Sequence, residues 1–229
     1  MVFITFEGLD ASGKSTIVYR LAELLRAENR PVNIVNKQCI DYSMIPFVGK
    51  KLESLHQIIF ECDANEDLTL IPAEAWVLLN ASWFYIVGNN YLNDGVINIS
   101  DSWIYKRIAR FSLLPQFVDT GVEHLYNKVK KPDITFFLNT PPAETWKRRE
   151  RHSKKDFGFL VMDREICTKD VFLAYQSKIY LELKNFSDKN KWIVLDWEKS
   201  LDELINIAMC IIKERKYEEI QKEKLDDLV

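Results

Sequence analysis

The sequence predicts an α/β fold built on a five-stranded, mainly parallel sheet. Five short apolar runs rich in β-forming residues alternate along the chain with segments of helical periodicity, which is typical of strand-helix-strand units. A glycine-rich loop joins the first run to the first helical segment. The chain has 229 residues, a length that suits one α/β domain, and we therefore expect a single domain over residues 1–229.

The first strand and the first helix enclose this loop. Residues 2–6 form an apolar run that is too short for a helix and is suited to a buried parallel strand. After Ser15, apolar residues recur at helical spacing from Ile17 to Leu25. The loop therefore has the strand before it and the helix after it that its motif requires.

The loop itself spells the phosphate-binding pattern, with Gly8, four free positions, Gly13, Lys14 and Ser15. Glycines let successive backbone N–H groups point at phosphate oxygens, and the helix that follows adds its positive N-terminal end. Lys14 supplies a mobile charge for the outer phosphates, and the Ser15 hydroxyl is a ligand for Mg²⁺. We therefore predict a nucleoside triphosphate site with Mg²⁺, whose contacts come from Gly8, Asp10, Ala11, Ser12, Gly13, Lys14, Ser15 and Thr16.

The next elements are a second strand and two helices. Val32–Val35 follows a break at Arg30-Pro31 and reads as a strand, and residues 37–46 read as a loop. Helices are expected over 47–60 and 72–92. The second of these has a very aromatic surface, which indicates either core packing or contact with a partner subunit.

The third strand, over 96–101, ends in a carboxylate. Ligands in open α/β sheets collect beyond the carboxyl ends of the strands, and both Glu7 and Asp101 fall there. We expect Asp101 to hold Mg²⁺ or to orient the attacking group, and Glu7 is a second candidate catalytic carboxylate. A helix N-cap is the structural alternative for Asp101, and the two roles are compatible.

The second half of the chain repeats the pattern and adds a basic segment. Two helices with a break near Pro115 are expected over 104–130, and the remaining elements are a strand over 134–138, a helix from Pro141-Pro142, a helix over 168–186, a strand over 192–195 and a helix over 200–224. The helix after Pro142 runs into a basic cluster between Lys147 and Lys155 that opens a predicted lid at about 148–163. Arg148 and Arg151 are three apart, so one helix face could present both guanidinium groups to a transferring phosphoryl group.

Composition excludes several classes of protein. The chain has 31 Lys and Arg against 34 Asp and Glu, a net charge of −3 that favours neither nucleic acid nor a membrane surface. Its four cysteines have neither zinc-site nor disulfide-framework spacing. No signal-peptide pattern and no long apolar stretch is visible, so we expect a cytoplasmic protein.

The sequence resembles thymidylate kinase and related phosphate-binding-loop nucleoside monophosphate kinases. The residues that carry the resemblance are the loop at 6–16, the strand that ends at Asp101, the segment Pro132–Leu138, and Pro142 followed by Lys147-Arg148. The resemblance implies a three-layer α/β/α kinase fold, ATP with Mg²⁺ as the phosphoryl donor, a small-molecule acceptor and often a homodimer. It also implies that Arg148 is a lid arginine that neutralises the transferred group.

Three features of the acceptor side depart from the family. The family has an arginine after the aspartate of the third strand, whereas this chain has Asp101-Ser102-Trp103. The family's Ala-Asp-Arg-like stretch in the long helix corresponds to residues 80–84, which lack that arginine. Its Arg-Glu-Pro-Gly-Gly-like loop after the second strand is replaced by residues 36–41. Each lost arginine costs about one to two decades of affinity for a phosphate. Binding of thymidine monophosphate, dTMP, should then be poor unless Lys106, Arg107 or Arg110 substitutes.

The acceptor therefore stays open at this point. One hypothesis is an acceptor that offers a hydroxyl, for which Glu7 or Asp101 is the candidate base. The alternatives are a genuine dTMP kinase with a diverged phosphate clamp, a deoxynucleoside kinase, and a non-catalytic nucleotide-binding module. Trp103 either stacks on a planar acceptor or fills the space of the missing arginine.

Overall fold

One parallel sheet forms the centre of the molecule. The computed structural model describes residues 2–45, 47–61, 71–117, 121–153, 156–158 and 167–226, with side chains up to residue 214. Its strands are β1 (Val2–Glu7), β2 (Val32–Ile34), β3 (Ile97–Ser100), β4 (Ile134–Leu138) and β5 (Ile193–Leu195). Their spatial order is β2-β3-β1-β4-β5, and all neighbours run parallel. The predicted five-stranded α/β sheet is confirmed.

The register of the sheet brings the chemically important strand ends together. Thr5 of β1 lies opposite Ser100 of β3, and Glu7 lies opposite Phe137 of β4. Because all five strands run in one direction, their carboxyl ends meet at one edge of the sheet, and β1 is central there. The loop after β1 is thus placed between the segments that follow β3 and β4.

Helices cover both faces of the sheet and make three layers. They are α1 (Lys14–Ala27), α2 (Gly49–Phe60), α3 (Ala73–Asn90), α4 (Tyr105–Phe111), α5 (Pro142–Lys147), α6 (Lys169–Asn190) and α7 (Leu201–Asp226). Side chains from α1 and α7 pack with Ile4 and Phe6 in one apolar cluster, whereas α3, α4 and α6 pack with Phe3 and Phe137 in another. Alternate residues of each strand therefore point to opposite layers, as a doubly covered sheet requires.

Two predicted helices differ from those observed. The second helix expected within 104–130 is wrong, since after α4 the described residues of this range form only short 3₁₀ turns, at Pro115–Phe117 and Glu123–Tyr126. The helix after Pro142 ends at Lys147, so Arg148 and Arg151 do not share one helix face. Lys154, Lys155 and residues 159–163 of the predicted lid lie outside the described residues.

The aromatic surface of α3 mostly serves the core. Trp76, Trp83, Phe84 and Val87 are buried, and the chain of ring contacts from Phe60 through Trp83 and Phe84 to Trp103 explains why the helix is apolar on nearly every side. None of the helices in the described ranges is long and apolar enough to cross a membrane.

Candidate active site

The loop after β1 has the backbone that a phosphate cradle needs. Gly8 has φ +150°, and a Cβ at this position would lie 2.9 Å from the carbonyl oxygen of Leu138. Gly13, directly before α1, has φ +104°. Side chains are strained or excluded at both positions, so glycine is required by conformation at each and by a close approach at Gly8. The loop leads directly into the N-terminus of α1, which begins at Lys14.

Lys14 is folded back into the loop. Its Nζ donates to the carbonyl oxygen of Leu9 at 2.5 Å and to Ser12 Oγ at 3.2 Å, and the side chain is buried. Burial and the nearby charge of Lys106 lower the pKa of Lys14 to about 8, although Asp10, Asp101 and Glu7 oppose the shift. An anion in the loop would add to the negative charge that these three carboxylates already place near the ammonium group.

Ser15 and Asp101 meet at the mouth of the loop. The Ser15 hydroxyl donates to Asp101 Oδ2 at 2.6 Å, although the two residues are far apart in sequence. The contact exists because the start of α1 and the end of β3 lie at the same sheet edge. Hydroxyl and carboxylate oxygens are ligands that Mg²⁺ accepts, so the pair fits a magnesium ion bound beside the loop.

Glu7 lies below the site and does not line it. Its carboxylate is fully buried and accepts from the backbone N–H of Trp103 at 2.8 Å and from the Ser102 hydroxyl at 3.4 Å. Burial raises the pKa of Glu7, while the Trp103 N–H opposes the shift. Its observed contacts fix the backbone that follows Asp101, so they support a positioning role more directly than that of a base.

Asp10 joins the loop to α4 through two cations. Its Oδ1 lies 2.5 Å from Lys106 Nζ, and its Oδ2 lies 2.8 Å from Arg110 Nη2. Burial alone would raise the pKa of Asp10, but the charges of Lys106 and Arg110 hold it well below its usual value. Lys106 and Arg110 therefore share a single carboxylate of the loop, and the three side chains together keep a net positive charge.

The basic segment after α5 sends its arginines to different places. Arg148 donates from Nη1 to the backbone oxygen of Ser12 at 3.2 Å, and its guanidinium lies 5.8 Å from the ring centroid of Trp197. Arg149 pairs with the buried Asp156 at 2.7 Å, and Arg151 is exposed. Of the two arginines expected on the donor, Arg148 therefore contacts the loop and Arg151 does not.

A second wall of the site carries aromatic and cationic side chains. Lys37 Nζ lies over the Phe60 ring at 5.4 Å from its centroid, and the Arg107 guanidinium lies over the same ring at 4.9 Å. Phe60 contacts Trp83 edge to face at 5.0 Å. Burial and the charges of Arg107 and Lys106 lower the pKa of Lys37 to about 8, and burial together with Arg110 lowers that of Arg107 to about 10.

Trp103 fills space that belongs to the core. Its ring is 2% exposed, contacts Phe3 and Phe84 edge to face at 5.0 and 4.9 Å, and donates from Nε1 to the Lys130 carbonyl oxygen at 2.8 Å. Of the two interpretations of this residue, the structure therefore favours the aromatic plug, although Trp103 is also one of the residues that line the cavity.

These elements enclose a cavity of about 640 Å³. Asp10, Ala11, Gly13, Lys14, Ser15, Thr16, Asp101 and Arg148 line it from among the predicted site residues, whereas Glu7, Gly8, Ser12 and Arg151 do not. The sequence interpretation missed Lys37 and Phe60. Lys37 follows the carboxyl end of β2, the same positional signal that indicated Asp101, whereas nothing in the sequence marked Phe60 at the end of α2.

Comparison with known proteins gives consistent results. The chain is 26% identical over 227 residues to the thymidylate kinase of Plasmodium falciparum, with 99% of this chain and 95% of the relative covered. It is 29% identical over 228 residues to the thymidylate kinase of Mycoplasma capricolum, covering 93% and 95%. A probable thymidylate kinase of Sulfurisphaera tokodaii is 26% identical over 210 residues, covering 92% and 95%. No protein-family model matches the chain.

The fold and the site define the class of protein first. A parallel sheet in three layers, with a phosphate-binding loop between its central strand and the next helix, is a phosphate-binding-loop kinase fold. Similarity to curated thymidylate kinases over nearly the whole chain then narrows the class. The chain is thymidylate kinase-like in sequence over most of its length, in agreement with the resemblance seen in the sequence, and this similarity supports a kinase-like phosphotransferase.

Proposed function

We propose that the protein is an ATP- and Mg²⁺-dependent kinase that transfers the γ-phosphoryl group to a nucleotide- or nucleoside-like small molecule. The observation that carries the proposal is the contact of Ser15 with Asp101 at 2.6 Å beside the buried Lys14. This pair offers two oxygen ligands at the mouth of a loop whose glycine geometry suits phosphates. The arrangement is the one that phosphate-binding-loop kinases need for their donor.

Each donor-side residue has a proposed role. The backbone of residues 8–16 and the ammonium group of Lys14 hold the β- and γ-phosphates, and the oxygens of Ser15 and Asp101 hold Mg²⁺. A Mg²⁺ ion held by Ser15 and Asp101 would supply positive charge beside the phosphates, where negative charge develops during transfer. Lys14 Nζ donates to Leu9 and Ser12 inside the loop, and a bound phosphate would offer its oxygens as alternative acceptors.

Arg148 is the proposed transition-state arginine. It is held against the loop by its bond to Ser12 and lines the cavity, so it can place positive charge on the equatorial oxygens of the transferred group. Arg149 forms an ion pair with Asp156 and so stabilises the basic segment after α5. Arg151 remains a candidate for the same function, with its exposed side chain free of any ion pair within the described ranges.

The acceptor belongs to one of two chemical classes. A nucleoside monophosphate such as dTMP, the nucleotide named by the curated relatives, is already ionised and needs no base. An alcohol would benefit from a base, and Asp101, which lines the cavity, is better placed for that role than Glu7. The Phe60 and Trp83 rings supply a surface for a planar base in either case.

We also infer a cytoplasmic homodimer. The exposed Leu78 and Tyr85 on α3 and Leu181 on α6 are apolar surface that a second copy could cover, as the family resemblance implies. Sedimentation equilibrium of the purified chain measures whether it forms a dimer.

The test of the kinase function is ADP release coupled to a panel of acceptors. The panel contains nucleoside monophosphates and the matching nucleosides, each with ATP and Mg²⁺. We expect turnover of roughly 1 to 100 per second with at least one acceptor. Binding of ATP without transfer to any acceptor would instead indicate a non-catalytic nucleotide-binding module.

A further inference from the structure

Lys37, Lys106 and Arg107 line the acceptor side of the cavity, and Arg110 lies behind them on the same carboxylate as Lys106. Lys106 and Arg110 share Asp10, at 2.5 and 2.8 Å. Lys37 and Arg107 form no ion pair within the part of the chain that the structure describes. The second pair therefore represents positive charge that the folded chain leaves unbalanced.

Lys37 and Arg107 share one aromatic neighbour, although Lys37 is exposed and Arg107 is half-buried. Both are held within about 5 Å of the Phe60 ring, which stabilises a nearby cation but provides no counter-ion. The pKa of each is lowered by burial, and Arg107 further lowers that of Lys37. A doubly charged anion beside both groups would raise the pKa of each, because a nearby opposite charge favours the charged form.

The two cations also come from separate elements that converge on one wall. Lys37 follows β2, Arg107 lies in α4, and Phe60, which closes α2, lies beside both. All three line the same cavity as Ser15 and Asp101. An anion held there would share the cavity with the phosphate-binding loop, as an acceptor must.

We propose that Lys37 and Arg107 bind the phosphate group of the acceptor, in place of the arginines that the family resemblance implies at other positions. This inference rests on the proposed kinase function. The arginines that the family resemblance placed after Asp101 and in α3 are replaced by Ser102 and by residues such as Trp83, whose ring lies next to Phe60. Phosphate recognition has thus moved to two other positions of the same cavity.

The experiment measures binding of matched ligands with and without phosphate. Isothermal calorimetry in the presence of ADP and Mg²⁺ compares dTMP with thymidine, and the other deoxynucleoside monophosphates with their nucleosides, on wild type, Lys37→Gln and Arg107→Gln. Lys50→Gln and Arg20→Gln are matched controls at exposed positions outside the cavity. We expect the preferred monophosphate to bind about 10- to 100-fold more tightly than its nucleoside in wild type.

Each substitution at Lys37 or Arg107 should weaken binding of the monophosphate by about tenfold or more and leave the affinities for the nucleoside and for ADP unchanged. Arg107→Lys should retain part of the effect, since the charge persists without the planar guanidinium. Thermal melting of each variant checks that the fold is intact.

Two results would overturn the inference while leaving the kinase intact. One is equal affinity of the wild-type protein for the monophosphates and their nucleosides. The other is an equal loss of affinity for the monophosphate and for the nucleoside in the variants. A failure of the kinase function has a different signature, which is absence of transfer from ATP to any acceptor, and the calorimetric comparison is still read independently in that case.

Discussion

The donor side and the acceptor side of the cavity are built by different means. The donor side comes mainly from one continuous stretch, residues 8–16, with Asp101 and Arg148 added from the ends of β3 and α5. The acceptor side is assembled from β2, α2, α3 and α4, with the Phe60 ring at its centre. A local stretch keeps its geometry by backbone conformation, whereas a dispersed wall keeps it only through packing.

This difference explains where the chain has changed. Backbone requirements such as the glycine at position 8, where a Cβ would lie 2.9 Å from the Leu138 carbonyl oxygen, tolerate almost no substitution. A charge on the acceptor wall can move from one helix to another and still face the same cavity, as Lys37 and Arg107 do in our proposal. The donor side therefore matches the family pattern, and the acceptor side departs from it.

The largest expected effect comes from Lys14→Met, which removes the donor-side ammonium group. We expect kcat/KM for phosphoryl transfer to fall about 10³-fold with every acceptor, because charge stabilisation of the transferred group is lost. The fold should persist, since burial already disfavours the charged form and lowers the Lys14 pKa to about 8. Coupled ADP release measures the loss, and retention of rates within tenfold of wild type would contradict the role of Lys14.

A smaller effect should separate two arginines of the basic segment. Arg148→Ala should lower kcat by about 10² to 10³-fold and leave ADP affinity nearly unchanged, because the guanidinium acts mainly on charge that develops in the transition state. Arg151→Ala is the matched comparison, and with an exposed side chain away from the loop it should cost less than about tenfold. Steady-state kinetics and ADP calorimetry on both variants decide the assignment, and equal losses would reject it.

Much of the fold follows from local sequence signals. Each predicted strand is present with bounds within one residue, because buried parallel strands are short apolar runs with clear breaks. The errors lie where short elements depend on tertiary contacts. The segment after Pro115 forms 3₁₀ turns and not a helix, and α5 ends at Lys147 just as its charge run begins.

The site divides in the same way. The motif predicted the loop and Lys14, and the position of Asp101 at a strand end predicted its approach to the loop, where it meets Ser15. The burial of Glu7 against the Trp103 N–H and the position of Phe60 depend on packing between distant segments. Patterns along the chain do not reveal such contacts, so the sequence did not predict that Glu7 lies outside the cavity lining and did not identify Phe60.

The smallest expected effect is a proton taken up when the donor binds. Lys14 has a pKa of about 8 in the free protein, so roughly half of these groups are neutral at pH 8. Phosphate oxygens favour the charged form and raise the pKa, so binding of ATP with Mg²⁺ at pH 8 to 9 should take up a fraction of a proton per site. The affinity for ATP should accordingly fall as the pH rises through about 8.

Calorimetry at pH 8.5 in two buffers with different ionisation enthalpies measures this uptake, which appears as a buffer-dependent heat of binding. Lys14→Met should abolish the dependence, whereas Arg20→Gln, on the exposed face of α1, should preserve it. Equal heats in both buffers for the wild-type protein would mean that Lys14 is fully charged before the nucleotide arrives. The ammonium group of Lys14 would then carry its full positive charge in the free protein, and binding of the nucleotide would not change its protonation.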